Sequence, residues 1–152
     1  MTALSDAATP YAASYVMLRK ENMVAFVLRS NTGWMDGHYS LTAGKVEGGE
    51  SYTQAAIREA KEEAGVTVTA EQLRHVLTSH RLEGASWVDV VFEATEWSGE
   101  VVNAEPDVHS EIAWLDLENL PQNIPPSLRF MLDQIHAGNT YCEYGWDIEK
   151  TD

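Results

Sequence analysis

Apolar and polar positions alternate along this chain in short runs of β-prone residues, interrupted by two stretches of helical period. Ala12 to Arg19 and Met23 to Arg29 are strand-like and flank the polar Lys20-Glu21-Asn22, a pattern that predicts a hairpin. Asn31-Thr32-Gly33 and Asp36-Gly37 are turn signals, after which Tyr39 to Leu41 reads as a short strand. Thr42 to Gly49 holds three glycines in eight residues and is expected to be a loop. Glu50 to Ala64 is the clearest helix, with Ser51 placed as N-cap, Gly65 as the left-handed C′ residue, and Ala55, Ala56, Ile57 and Ala60 as a packing face. Val66 to Thr69, Gln72 to Ser79, Trp87 to Glu96 and Ile112 to Leu115 read as further strands. Glu118 to Leu120 suggests one turn of helix, and Pro126 to Ala137 a second full helix with proline in its first turn.

Strands on both sides of one central helix, with another helix near the end, predict a mixed sheet covered by helices, an α/β or α+β sandwich. The 152 residues suit one domain, expected over 12–152 behind a mobile stretch at 1–11. No run approaches the ~20 apolar residues of a membrane helix, and MTALSDAATPYAAS lacks the basic-then-apolar order of a secretion signal. The expected location is the cytoplasm. Cys142, the single cysteine, rules out an intrachain disulfide and a cysteine zinc cage. A net charge of −14 without any basic cluster argues against nucleic acid polymers and anionic membranes as partners. A phosphate-bearing small molecule could approach such a surface only with cations, and a metal ion could supply them.

Glu59, Glu62 and Glu63 stand at i, i+3 and i+4, so their carboxylates share one helical face. They crowd the last turns, where both mutual repulsion and the helix dipole disfavour negative charge. Helix stability alone would favour lysines there, whereas clustered hard oxygens are what Mg²⁺ or Mn²⁺ takes as ligands. By themselves such acids also suit an ordinary solvated face.

The spacing narrows the choice. Gly44, five residues, Glu50, seven residues, Arg58-Glu59, aliphatic Ala60, one residue, Glu62-Glu63, one residue, Gly65 and aliphatic Val66 resemble the Nudix box at every position. Gly37-His38-Tyr39-Ser40-Leu41 leading into Ala43-Gly44-Lys45-Val46-Glu47 is similar to the approach to the family's loop, although Thr42 stands where many members have proline. Glu105-Pro106, Glu111 to Leu115 and Leu120-Pro121 look like its later strand and turn, so the resemblance spans residues 12 to about 137.

The resemblance, closest by length to small MutT-like members, implies an α/β/α sandwich with a mixed sheet and a catalytic loop–helix. It also implies Mg²⁺- or Mn²⁺-dependent hydrolysis of a diphosphate linkage in a nucleoside diphosphate derivative. Metal ligands are then expected at Glu59, Glu62 and Glu63 with the Gly44 carbonyl. Arg58 orients the glutamates, Glu50 pairs with Arg58, and Gly44 and Gly65 are structural. The general base is left between Glu59 in the box and Glu105 or Glu111 beyond it. Arg29 and Lys45 are candidates for phosphate contacts, Trp34 for stacking on a base, and His80-Arg81 for lining the pocket. A nucleoside triphosphate, normal or damaged, cut to monophosphate and pyrophosphate is the first expectation for substrate. ADP-ribose, dinucleoside polyphosphates or other conjugates are the second, and a nucleotide-sensing module without turnover is the third. The expected assembly is a monomer or a homodimer.

Overall fold

The computed structural model describes residues 6–147. Its strands are β1 (Tyr11–Lys20), β2 (Met23–Arg29), β3 (Tyr39–Lys45), β4 (Arg74–Glu83), β5 (Ala85–Ala94), β6 (His109–Asp116) and β7 (Tyr141–Tyr144); its helices are α1 (Tyr52–Ala64) and α2 (Pro126–His136). The strands form one mixed sheet in the order β6-β2-β3-β1-β5-β4-β7, with β1–β5 and β4–β7 parallel and the other pairs antiparallel.

Alternation along the strands sends side chains to two cores. Val16, Leu18 and Ala25 meet Ala56, Ala60 and Ala64 of α1, while Met17, Val24, Phe26 and Leu41 meet Leu128, Met131 and Leu132 of α2. One helix therefore covers each face, the α/β/α arrangement that the sequence resemblance implies. The alanine face of α1 lets the helix lie close to the sheet, where Ser14 Oγ donates to the Tyr52 carbonyl at 2.8 Å. The helix starts on Ser51, whose hydroxyl accepts from the Gln54 N–H while Gln54 accepts from the Ser51 N–H.

The chain departs from the expected elements where pairing overrides local preference. Thr42–Lys45 is strand rather than loop: β3 pairs with β2 through Leu41 and then with β1 from Thr42 onward, so ladder hydrogen bonds hold the glycine-containing half extended. Val66 to Thr69 contributes only one bridge, between Thr67 and Ser98. Glu118 to Leu120 is a turn closed by Asp116, not helix. β4 runs on to Glu83, and β7, which no local pattern marks, adds a parallel edge and buries Cys142. Of the stretch expected to be mobile, residues 1–5 lie outside the described residues and Tyr11 opens β1. No described helix is long and apolar enough to cross a membrane.

Gly65 ends α1 at φ 72°, and a Cβ there would lie 2.8 Å from Val102 Cγ2. Gly65→Ala is expected to cost about 1–2 kcal/mol through left-handed strain and this clash, read as a lower urea midpoint with unchanged slope.

Candidate active site

α1 presents its acids to the sheet at the point where β3 leaves β2. Beyond Leu41 the β2–β3 ladder stops, and the Ala43 N–H donates to Glu63 Oε1 at 2.7 Å. Glu59 lies one turn earlier against Gly44, where any Cβ would fall 2.1 Å from Glu59 Oε1. The φ of Gly44 is ordinary, so what a side chain here would disturb is the seat of the Glu59 carboxylate. Both carboxylates are about 8% exposed, which is unusual for glutamates.

Arg58 holds this group in place. Its Nη1 lies 2.6 Å from Glu59 Oε1 and 3.2 Å from Glu62 Oε2, and its Nε and Nη2 grip Glu50 at 2.8 and 2.9 Å. Nη2 also donates to the Lys45 carbonyl at 3.1 Å, tying helix to loop. The Arg58 guanidinium and the Glu47 N–H hold the Glu50 carboxyl down at about 2, so Glu50 is a permanent anion.

Two residues from the far side of the sequence complete the cluster. Ligand atoms of Glu63, Glu105 and His109 all lie within 4.8 Å of one another, with His109 Nε2 3.6 Å from Glu63 Oε2. A bulge makes this possible. Glu111 pairs with Leu28 but His109 pairs with Arg29, so Ser110 is left unopposed and His109 turns to the Arg29 face. Burial raises the proton affinity of Glu63 strongly, and the charges of Glu59 and Glu105 add to it against the Ala43 N–H and Arg29. Burial also raises Glu59, against Arg58, and it raises Glu105, with help from Glu62. Burial and the Arg29 charge lower His109, so its contact with Glu63 at neutral pH is not an ion pair. Buried carboxylates short of positive charge fit a divalent cation, and the donor set of oxygens with one imidazole is chemically suited to one.

A cavity of about 520 Å³ extends from this cluster across β3 and β1 to β4. Glu63, His109, Arg29 and Gly44 border it on one side, Arg81, Glu83, Trp87 and Ser127 on the other, and Leu128 and Met131 roof it. Trp34 and Lys45 stand on its rim. Arg29 lies under the Trp34 ring, 5.1 Å from its centroid, and donates to the Trp34 carbonyl and Thr32 Oγ1. Lys45 Nζ sits 4.9 Å from the Tyr11 ring centroid and 5.7 Å from that of Trp87.

Three expected positions, Glu111, Arg81 and His80, have surroundings that the sequence does not show. Glu111 lies on the opposite face from Glu63, where its carboxylate accepts from the Tyr39 hydroxyl, and it does not border the cavity. Glu105 is the later acid that reaches the cluster. Arg81 borders the cavity but is buried and already bound, by Asp89 through Nε and Nη2 at 2.8 and 3.0 Å and by Glu83 through Nη1 at 2.9 Å. Its charge is therefore answered from within the protein and is poorly placed to attract phosphate. His80 does not border the cavity and instead packs on Trp146 at 4.5 Å. His109, Asp89 and Glu83 went unmarked in the sequence, since each gains meaning only through cross-strand register.

The NUDIX domain profile matches residues 8–135. The chain is 27% identical over 113 residues to the Nudix hydrolase YvcI of Bacillus subtilis, covering 72% of this chain and 67% of that one. It is 33% identical over 110 residues to the 8-oxo-dGDP phosphatase NUDT18 of Mus musculus, covering 70% of this chain but only 32% of that one. Among solved structures, a MutT NUDIX hydrolase from Burkholderia pseudomallei superposes with a TM-score of 0.75 at 26% identity, covering 83% of this chain and 98% of that one.

The raised carboxylates give the metal-free protein a pH dependence of definite sign. Protonated Glu59, Glu63 and Glu105 favour folding below the ordinary glutamate range, and that contribution is lost as pH rises through their elevated values. A divalent ion replaces those protons, so added Mg²⁺ is expected to raise the melting temperature more at pH 8 than at pH 5. In Gly44→Ala, with Glu59 displaced, the shift should shrink; equal shifts at both pH values would contradict the assignment.

Proposed function

The chain belongs to the NUDIX hydrolase family, and from that premise we propose that it hydrolyses the diphosphate linkage of a nucleoside diphosphate derivative. Its foremost substrate in this reading is a nucleoside triphosphate, normal or damaged, cut to monophosphate and pyrophosphate. The observation that carries this reading is the continuity of the cavity. It joins the acidic cluster, suited to phosphates with their cation, to an aromatic and apolar end suited to a ring. The relative named an 8-oxo-dGDP phosphatase supports a damaged nucleotide as the substrate class, although its named substrate is a diphosphate.

A divalent ion, Mg²⁺ or Mn²⁺, would be held chiefly by Glu59 and Glu63, with Glu105, Glu62 and the Gly44 carbonyl at its margin. When bound, it supplies charge neutralisation at the phosphoryl oxygens and acidifies water. Arg58 fixes Glu59 so that its carboxylate does not swing. Glu105 has no side-chain hydrogen bond among the described residues, which leaves it freer than the Arg58-tethered Glu59 to turn to a water and act as proton acceptor. Water attacks phosphorus as Glu105 takes its proton, and the bridging P–O bond breaks to release the leaving group, pyrophosphate or the nucleoside monophosphate according to which phosphorus is attacked. Arg29 and Lys45 flank the path of the phosphates, and Trp34 covers the mouth. The protein acts in this reading on small nucleotides in the cytoplasm.

A Mg²⁺-supplemented screen of nucleoside triphosphates, nucleotide sugars, ADP-ribose and dinucleoside polyphosphates, with products resolved, tests this reading. Pyrophosphate and monophosphate from a triphosphate are expected. Products from ADP-ribose or dinucleoside polyphosphates alone would shift the substrate, and binding without products would make the site a sensor. Glu105→Gln is expected to lower kcat by about 10²–10⁴-fold with KM little changed, and Glu63→Gln by several orders of magnitude with the fold intact. Unchanged turnover in Glu63→Gln would remove the mechanism.

A further inference from the structure

His109 is the one member of the acidic cluster that is not an acid. Its side chain is only 4% exposed, yet among the described residues it makes no hydrogen bond: Nδ1 has no partner, and Nε2 lies 3.6 Å from Glu63 Oε2, too far for a hydrogen bond. An imidazole buried without partners is costly unless something absent from the protein itself satisfies it. The chain arranges this exposure to Glu63 deliberately in register, because the bulge at Ser110 turns the ring from the Glu111 face to the Arg29 face. Carboxylate oxygens of Glu63 and Glu105 lie within 4.8 Å of the ring's ligand atom, so small side-chain rotations bring all three onto one ion.

We propose that His109 Nε2 is a nitrogen ligand of the cation at this site, making it a mixed oxygen–nitrogen site that favours a first-row transition ion over Mg²⁺. This rests on the metal-dependent reading above and chooses between its two ions. Imidazole adds affinity for Mn²⁺ and the later ions, whereas Mg²⁺ prefers oxygen and keeps its waters. Asn103 donates through Nδ2 to the His109 carbonyl at 2.8 Å and holds the backbone that carries the ring.

Pulsed EPR of the full chain loaded with Mn²⁺, without substrate, tests this directly. The expected result is ¹⁴N modulation from a coordinated imidazole, replaced by the ¹⁵N pattern when the protein is grown with ¹⁵N-histidine, and a Mn²⁺ affinity that exceeds that for Mg²⁺ in competition. His109→Gln should abolish the nitrogen modulation and weaken Mn²⁺ binding on the order of tenfold or more, while Mg²⁺ binding falls less. The isotope arm requires no variant, so a folding defect in His109→Gln would not shield the idea. Bound Mn²⁺ without nitrogen modulation would overturn the role of His109 and leave the hydrolase reading standing. Failure to bind Mn²⁺ or Mg²⁺ at all would overturn both.

Discussion

Repulsion among carboxylates is the constraint around which this molecule is arranged. α1 carries Glu59, Glu62 and Glu63 toward the sheet, and Glu50 and Glu105 approach from its flanks. A helix alone would not gather them, since each like-charged pair at i, i+4 costs a few tenths of a kcal/mol and burial costs more. Arg58 offsets part of this by binding Glu50, Glu59 and Glu62 together with a loop carbonyl. The alanine face that seats α1 on β1, the space left by Gly44 and the left-handed stop at Gly65 all fix where that guanidinium and those acids meet.

The remaining negative charge is directed to one place. Glu59 is answered by Arg58 and Glu50 is answered doubly, but Glu63 receives only a backbone N–H and the more distant Arg29. The deficit of positive charge therefore concentrates at Glu63, which borders the cavity, and at Glu105 beside it. The basic groups nearby are moderated as well: Arg29 is bound to the Trp34 loop and Lys45 rests among aromatic rings. Such a site holds a phosphate chain by way of a cation more readily than by side-chain charge.

Local chemistry made α1 legible before any coordinates. Its cap, its alanine face, its glycine stop and the spacing of its acids lie within about four turns of chain, so the residues that interact are also neighbours in sequence. The same holds for the β1–β2 hairpin and for α2. What was hidden depends on pairing at long range. The Thr42–Lys45 stretch reads as loop until two neighbouring strands claim it, and β7 exists only because β4 offers an open edge. Glu105 and Glu111 were equivalent as letters; the β2–β6 ladder sets Glu111 on the opposite face, and a one-residue bulge beyond it swings His109 in. Arg81 borders the cavity as expected, but only cross-strand register shows that Asp89 already binds its guanidinium.

The sheet separates two kinds of evolutionary freedom. Everything that holds the acids belongs to α1 and the strand faces beneath it, while Arg81, Glu83, Ser127 and the roof from α2 shape the other end of the cavity from the opposite face. Distant sites that share no partners perturb a protein independently, so changes at one end carry little epistasis onto the other. Substitutions along the α2 wall can therefore reshape the apolar end of the cavity one residue at a time while the acids stay where α1 puts them.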